Sequence, residues 1–281
     1  MSKPLRIDCG MPALLELRGP DAVRFLNGQV TQDVRLVAGG LKSLPSCVTD
    51  AKGRLQFRVR LLESNEGSLW VEVPAGCAEA LEARLTRYLI ADDVEVSDLT
   101  GKWSLAHFTG MPPDAADGVV VRESARMGLA GFDWWIPAGC EPGFPEEIAL
   151  LAGDRLEAFR IAHGVPAWGR ELTEGLLPPE AGLDATDISY QKGCYIGQEV
   201  ISRMKYAGKV NKRLVRLELA GECPVENPEL VDVHGASAGR LTSVSPIAAG
   251  SLRQALGYVK RGVEEVFVVT SDGARHLVRV L

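Results

Sequence analysis

No stretch of this 281-residue chain stays apolar long enough to cross a bilayer, and Met1-Ser2-Lys3-Pro4-Leu5-Arg6-Ile7-Asp8 lacks the apolar run of a signal peptide. A membrane partner is therefore not expected, and the cytoplasm is the expected compartment. The six cysteines (Cys9, Cys47, Cys77, Cys140, Cys194, Cys223) stand far apart, with no Cys-x-x-Cys and no histidine cluster nearby. That disfavours a disulfide scaffold and a preformed zinc site, so no metal site is expected. Only four histidines occur (His107, His163, His234, His276), none beside a cysteine, and a Cys/His pair would have to be assembled by the fold. Also missing are Gly-x-Gly-x-x-Gly, the phosphate-binding Gly-x-x-x-x-Gly-Lys-Ser/Thr, His-Glu-x-x-His and Gly-x-Ser-x-Gly.

What is present is ordinary globular composition, 46% hydrophobic and 24% charged, in a chain long enough for two or three domains. The net charge of -6 argues against a dedicated nucleic-acid binder. Read in order, Ala13 to Arg18 is an expected strand, with Asp21 as N-cap of a helix from Ala22 to Asn27. Leu44 to Thr49 and Leu55 to Leu62 flank the hairpin turn Asp50-Ala51-Lys52-Gly53, in which Asp50 shapes the turn. Strand Leu69 to Val73 leads into a helix from about Ala78 to Leu89, with Glu79, Glu82, Arg84 and Arg87 toward solvent.

Val73-Pro74-Ala75-Gly76-Cys77 recurs as Ile136-Pro137-Ala138-Gly139-Cys140, each time after a tryptophan-bearing strand. This echo suggests two related α+β modules of split βαβ or ferredoxin-like type, each turn entering a segment with helical potential. A helix from Asp154 to Ala162 stops near Gly164. The loop-like stretch between Pro166 and Asp187 is expected to be functional. From Asn211 onward, six short strands (Leu214 to Leu219, Leu230 to Val233, Gly239 to Val244, Ala255 to Lys260, Val266 to Thr270, His276 to Val280) predict a small antiparallel barrel or sandwich. The expected domains are an α+β body over 1–208, with modules of about 1–99 and 100–208, and a barrel over 209–281.

The most chemical stretch is Gln191-Lys192-Gly193-Cys194-Tyr195-Ile196-Gly197-Gln198-Glu199-Val200. Gly197 and the residues after it read as the start of a short helix, which places Cys194 just before a helix N-terminus. There the helix dipole and the Lys192 ammonium favour thiolate over thiol. From Lys192 through Arg213 six basic residues (Lys192, Arg203, Lys205, Lys209, Lys212, Arg213) face one acid, Glu199, a local charge of +5. Such a strip suits an anionic ligand tail, a phosphate or RNA, and equally a solvated strand edge.

Lys192 to Glu199 followed by Arg203 resembles the signature of the YgfZ family of folate-binding proteins, relatives of the glycine cleavage T protein. Phe25 to Asp33, Thr49 to Arg54, Arg160-Ile161 with Gly164, Leu177-Pro178 and Gly239 to Ser243 look like further landmarks of that family, in the right order. The resemblance implies a T-protein-like α+β folate-binding body with a C-terminal antiparallel β-barrel. It implies tetrahydrofolate or another folate as cofactor and iron–sulfur client proteins as partners. The implied role is assembly, repair or maintenance of iron–sulfur enzymes, including those that thiolate tRNA. Carried over, Cys194 is the functional cysteine with Lys192 its basic neighbour, and Gln198, Glu199 and Arg203 complete the motif. Asp50 and Arg160 join them as expected folate-binding residues, and Arg203 and Lys205 suit the glutamate tail by charge. The aspartate pair of T proteins is replaced by Gln56-Phe57, and the acid of their Arg-Leu-Glu-Ala-Gly helix by Ala162. A carboxylate there would serve the reacting amine. Its loss points away from aminomethyl transfer and from a self-sufficient enzyme; a tetrahydrofolate-dependent transferase and an RNA-binding module remain the alternatives.

Overall fold

The computed structural model describes residues 4–208, 210–220, 228–263, 265–270 and 273–281. The chain divides into two compact units, one up to Leu151 together with Asp184–Ser202, the other Ala152–Leu183 with Arg203–Leu281. The division differs from a single cut at residue 208, since Ala152–Leu183 groups with the barrel.

The first unit holds two five-stranded sheets. One is built from β2 (Ala13–Arg18), β3 (Leu44–Thr49), β4 (Leu55–Glu63), β5 (Leu69–Val73) and β6 (Glu95–Asp98), in the order β3-β4-β5-β2-β6. Helices α1 (Ala22–Gln29) and α2 (Ala78–Thr86) cover one of its faces. Strands β5 and β6 both run antiparallel to β2 between them, so β5-α2-β6 is a split βαβ unit. In α1 the buried residues Ala22, Phe25, Leu26 and Gln29 recur at i, i+3, i+4 and i+7, the spacing that puts them on one face. Asp21 stands at the N-cap position of α1 as expected, but its carboxylate bonds no first-turn N–H and instead accepts from the Asp93 N–H at 2.9 Å and pairs with Arg24 at 3.2 Å. Arg84, expected toward solvent, is buried on α2 and donates to Gln56 Oε1 at 2.9 Å and Gln29 Oε1 at 3.0 Å.

The second sheet, in the order β10-β1-β7-β9-β8, joins β1 (Leu5–Gly10), β7 (Trp103–Thr109), β8 (Val120–Ser124), β9 (Gly131–Pro137) and β10 (Ala149–Leu150). The N-terminal strand β1 thus belongs to the later module, and a boundary at residue 99 does not separate the sheets. Leu14, Leu62 and Trp70 of one sheet and Leu105, Val120 and Trp135 of the other form a shared apolar core. Beside it, Arg126 forks between Glu72 and Asp133 at 2.7 and 2.9 Å, and Asp133 bonds His107 Nδ1 at 2.8 Å. Burial opposes the Asp133 carboxylate, yet Arg126 and His107 hold it ionised well below the usual range.

The sequence echo is real as a turn, because Cys77 N–H bonds Pro74 O and Cys140 N–H bonds Pro137 O, both at 3.0 Å. Only the first turn enters a helix. After Cys140 the prolines of Glu141-Pro142-Gly143-Phe144-Pro145 break the helical backbone, and Phe144 and Ile148 instead pack as irregular chain on the outer face of the second sheet.

In the second unit, β11 (Lys212–Ala220), β12 (Glu229–Val231), β13 (Ser237–Val244), β14 (Leu252–Lys260), β15 (Val266–Val269) and β16 (Arg275–Val280) close a barrel in the order β11-β14-β13-β12-β15-β16. Its core is aliphatic, with Leu217, Leu219, Leu230, Leu241, Val266 and Val268 among the buried residues. Helix α3 (Gly153–Ala162) is tied to it by Arg160. Helix α4 (Gln198–Ala207) carries the division between the units. Among the residues read at the sequence level, Lys209, Cys223, Asn227, Ser271 and Asp272 lie outside the described residues.

Candidate functional site

Lys192 is 5% exposed, and its Nζ donates to the carbonyls of Asn27, Val30 and Gln32 at 2.6, 2.7 and 2.8 Å. An ammonium has three N–H groups, so all are committed and none is left for the neighbouring thiol. Burial pushes this ammonium down from 10.5 to about 7, nearby Asp33 opposes that, and Arg35 adds to it. Its nitrogen also lies 5.3 Å from the ring centroid of Tyr195, which is buried.

Gly193 and Cys194 lie between these two buried side chains and are exposed. Side chains that alternate in, out and in again thus hold the thiol at the surface of a loop fastened on both sides. Helix α4 begins at Gln198, four residues on, with Gln198 half-buried and its N–H bonded to Tyr195 O at 3.2 Å. Glu199, Arg203 and Lys205 are exposed on α4. Glu199 in the first turn and Lys205 in the last match the helix dipole. Arg203 and Lys205 fall in the second unit.

Three landmarks far apart in sequence meet at this loop. Lys192 holds the end of α1 and the turn after it. The Thr31 hydroxyl donates to Asp187 O at 2.6 Å and accepts from the Cys47 N–H at 2.9 Å. Gln32 Nε2 donates to Thr186 O, and Thr49 Oγ1 donates to Ile196 O at 2.6 Å. Gly53 and Gly197 both have positive φ, and a Cβ on Gly197 would fall 2.5 Å from Asp50 O and 2.9 Å from Gly53 Cα. The two turns therefore touch backbone to backbone, which only glycine permits.

Asp50 belongs to this cluster, but its Oδ1 accepts from the N–H groups of Lys52 and Arg54 at 2.8 and 2.9 Å, so it closes the hairpin turn. Arg160 lies in the other unit with all five N–H groups engaged: on Glu157 twice, and on Val165 O, Glu171 and Ser243. Arg160 thus holds no donor in reserve, while the shown bonds of Asp50 use its Oδ1 alone.

Sequence reasoning missed the buried pair beneath the loop. Arg58 on β4 forks onto Asp187 at 2.7 and 3.2 Å, and Asp187 is wholly buried. Burial works against the Arg58 guanidinium and the Asp187 carboxylate more than offsets it, so its pKa rises. Asp187 closes the irregular stretch expected to be functional; no local pattern connects it with Arg58, 129 positions away. Among the described residues, no three His, Cys, Asp or Glu gather as a metal site.

No protein-family model matches the chain. In the solved structures it resembles glycine cleavage system aminomethyltransferase T from Bartonella henselae, with TM-score 0.82 over 99% of this chain and 85% of that one, at 20% identity. The fold is thus the T-protein fold, here an antiparallel and a mixed five-stranded sheet with a closed six-stranded barrel. In sequence it is 30% identical over 219 residues to the tRNA-modifying protein YgfZ of Aliivibrio fischeri, covering 73% of this chain and 68% of the relative. The chain belongs to the YgfZ family. It is also 30% identical to the mitochondrial iron-sulfur cluster assembly factor IBA57 homolog of Phaeosphaeria nodorum over 77% of its length, and spans 56% of that relative.

Proposed function

We propose that this protein supports the assembly, repair or maintenance of iron–sulfur enzymes, tRNA-thiolating ones among them, by presenting the Cys194 thiol to client proteins. The observation that carries this reading is an exposed thiol on a loop fastened by Lys192 on one side and Tyr195 on the other. Its relatives, an iron-sulfur cluster assembly factor homolog and a tRNA-modifying protein, support the client class. A lone cysteine does not close a cluster, since clusters are held by several thiolates. Cys194 then acts as a redox thiol or as one ligand of a set completed by the client. The cytoplasm is the proposed compartment, and among the described residues no helix is long and apolar enough to cross a membrane.

A folate is the proposed ligand of the first unit, and the residues fit it in part. Among the described residues the buried Tyr195 hydroxyl and Arg84 Nη2 have no hydrogen-bond partner, as side chains completed by a polar ligand do. Arg203 and Lys205, expected for the anionic glutamate tail, fall in the second unit, and Asp50 and Arg160 are internally engaged. Aminomethyl transfer is less well supported, because Gln56, at the T-protein acid position, accepts from Arg84. Turnover of an aminomethylated carrier with tetrahydrofolate would restore that reading.

Two measurements test the proposal. In cells lacking their own copy, the Cys194→Ala chain is expected to accumulate folded yet fail to restore iron–sulfur enzyme activity; full rescue overturns the thiol role. Anaerobic titration with tetrahydrofolate, read by tryptophan fluorescence, is expected to saturate in both chains. Failure to bind removes the folate half alone.

A further inference from the structure

The barrel has a feature that neither the thiol loop nor a folate accounts for. On β11 the residues Leu219, Leu217, Val215 and Arg213 follow one another at every second position, and directly across β14 stand Ala255, Gly257 and Val259, paired with Leu217, Val215 and Arg213. Leu217, Leu219, Ala255 and Val259 belong to the barrel core, and Val215 packs against it. Strand alternation therefore makes this the inward row, and at one end of the barrel it runs out in arginine: Arg213 on β11 and, one step beyond Val259 on the same side, Arg261 after β14. A depression of about 450 Å³ opens there, with Val215, Val259 and Val263 among its walls and Lys212, Arg213, Lys260 and Arg261 as its charged residues. Among the described residues, no Asp or Glu lines it.

The cations are not equally engaged. Lys260 Nζ donates to Ser237 O at 2.8 Å, and Lys212 stands 3.8 Å from Glu180 with its nitrogen 4.7 Å from the Tyr258 ring centroid. The Arg213 and Arg261 side chains are exposed and have no hydrogen bond or ion pair among the described residues. An apolar floor under two unengaged guanidinium forks, in a chain of net charge -6, is complementary to a ligand with an anionic head and an apolar stem.

We propose that this barrel mouth is a binding site for a small amphiphilic anion, a phosphate or carboxylate on an apolar stem, with Arg213 and Arg261 taking the head and the valines the stem. The test uses the full chain with methyl-labelled valine, followed by NMR during titration with hexyl phosphate, hexanoate, inorganic phosphate and hexylammonium. Hexyl phosphate or hexanoate is expected to shift the Val215, Val259 and Val263 methyls saturably, and whichever binds tighter identifies the head group. Inorganic phosphate should bind more weakly, and hexylammonium should leave those methyls unmoved. Arg213→Ser with Arg261→Ser, or Arg261→Glu alone, should weaken binding at least about tenfold while the spectrum of the remaining valines stays unchanged. Equal shifts with hexylammonium, equal affinity for inorganic phosphate, full affinity in the arginine variants, or no shift at millimolar ligand would each overturn the proposal. Unchanged tetrahydrofolate titration in the arginine variants is expected and separates this site from the proposed folate site.

Discussion

Two buried cations, Lys192 in the first unit and Arg160 in the second, solve the same problem with opposite acceptors. In the first unit the Lys192 ammonium is surrounded by three neutral backbone carbonyls. In the second the Arg160 guanidinium meets two carboxylates, Glu157 and the 1%-exposed Glu171, besides Val165 O and the Ser243 hydroxyl. Arg160 keeps its charge under all conditions, and its pKa is raised because its partners outweigh the burial that opposes it. Lys192 carries the cost of burial without a bonded counter-ion and is pushed down to about 7. A charge-paired clamp is therefore permanent, while a carbonyl-only clamp titrates.

The comparison breaks most sharply at Arg160. Arg160→Met leaves the buried Glu171 carboxylate without a counter-charge, although Ser243 Oγ and the Ala167 N–H still bond it. A loss of about 3 kcal/mol is expected, measured by urea unfolding and read at Trp168, the one tryptophan among that unit's residues. Lys192→Met leaves only neutral carbonyls unpaired and removes a charge that burial disfavours. Its expected loss is smaller, about 2 kcal/mol, read at Trp70, Trp103, Trp134 and Trp135 of the first unit. A Lys192 effect exceeding that of Arg160 would reverse the ranking.

The same comparison predicts a pH dependence. The folded Lys192 titrates near 7 and the unfolded one near 10.5, so between these values the unfolded chain binds more protons. Stability then rises with pH from about 7 toward 10.5, with a slope of up to about 1.4 kcal/mol per unit from this group, and is flat below 7 where both states are protonated. Lys192→Met should abolish that rise in the first unit. An unchanged slope would mean that the three carbonyls keep the ammonium charged throughout.

The two clamps also show what local pattern conveys. The six barrel strands were legible because Gly, Asn, Pro and Asp punctuate them, and the observed limits differ by a few residues at most. Glycines at 53 and 197 marked tight turns, but only the fold shows that they are needed because the turns touch each other. The spacing of Lys192 and Cys194 suggested an ammonium serving a thiol, whereas the irregular backbone of this loop buries the lysine and exposes the cysteine. Lys192 finds acceptors 160 and more positions away, which no sequence window contains. Arg84 was read as a solvent-facing helix position and Arg160 as a ligand residue for the same reason. The Arg160 contacts with Glu171 and Ser243 also explain why α3 joins the barrel's unit.

The smallest expected change in stability is at Cys194, where it separates support from chemistry. Its side chain is exposed, its neighbours Lys192 and Tyr195 provide the fastening, and Gly193 beside it has open space around it. Truncation to alanine removes no buried contact, so Cys194→Ala should shift the urea-derived stability by less than about 0.5 kcal/mol. Lys192→Met should unfasten the same loop while leaving the thiol in place. If the thiol acts only when held, the two variants should lose iron–sulfur client support alike, although only the lysine variant loses stability. Rapid maleimide alkylation located at Cys194 by peptide mapping, in the folded unsubstituted chain and in Lys192→Met alike, would confirm that the lysine variant still carries an accessible thiol. Full client support by that variant would show that Cys194 acts without its clamp, and that Lys192 serves stability alone.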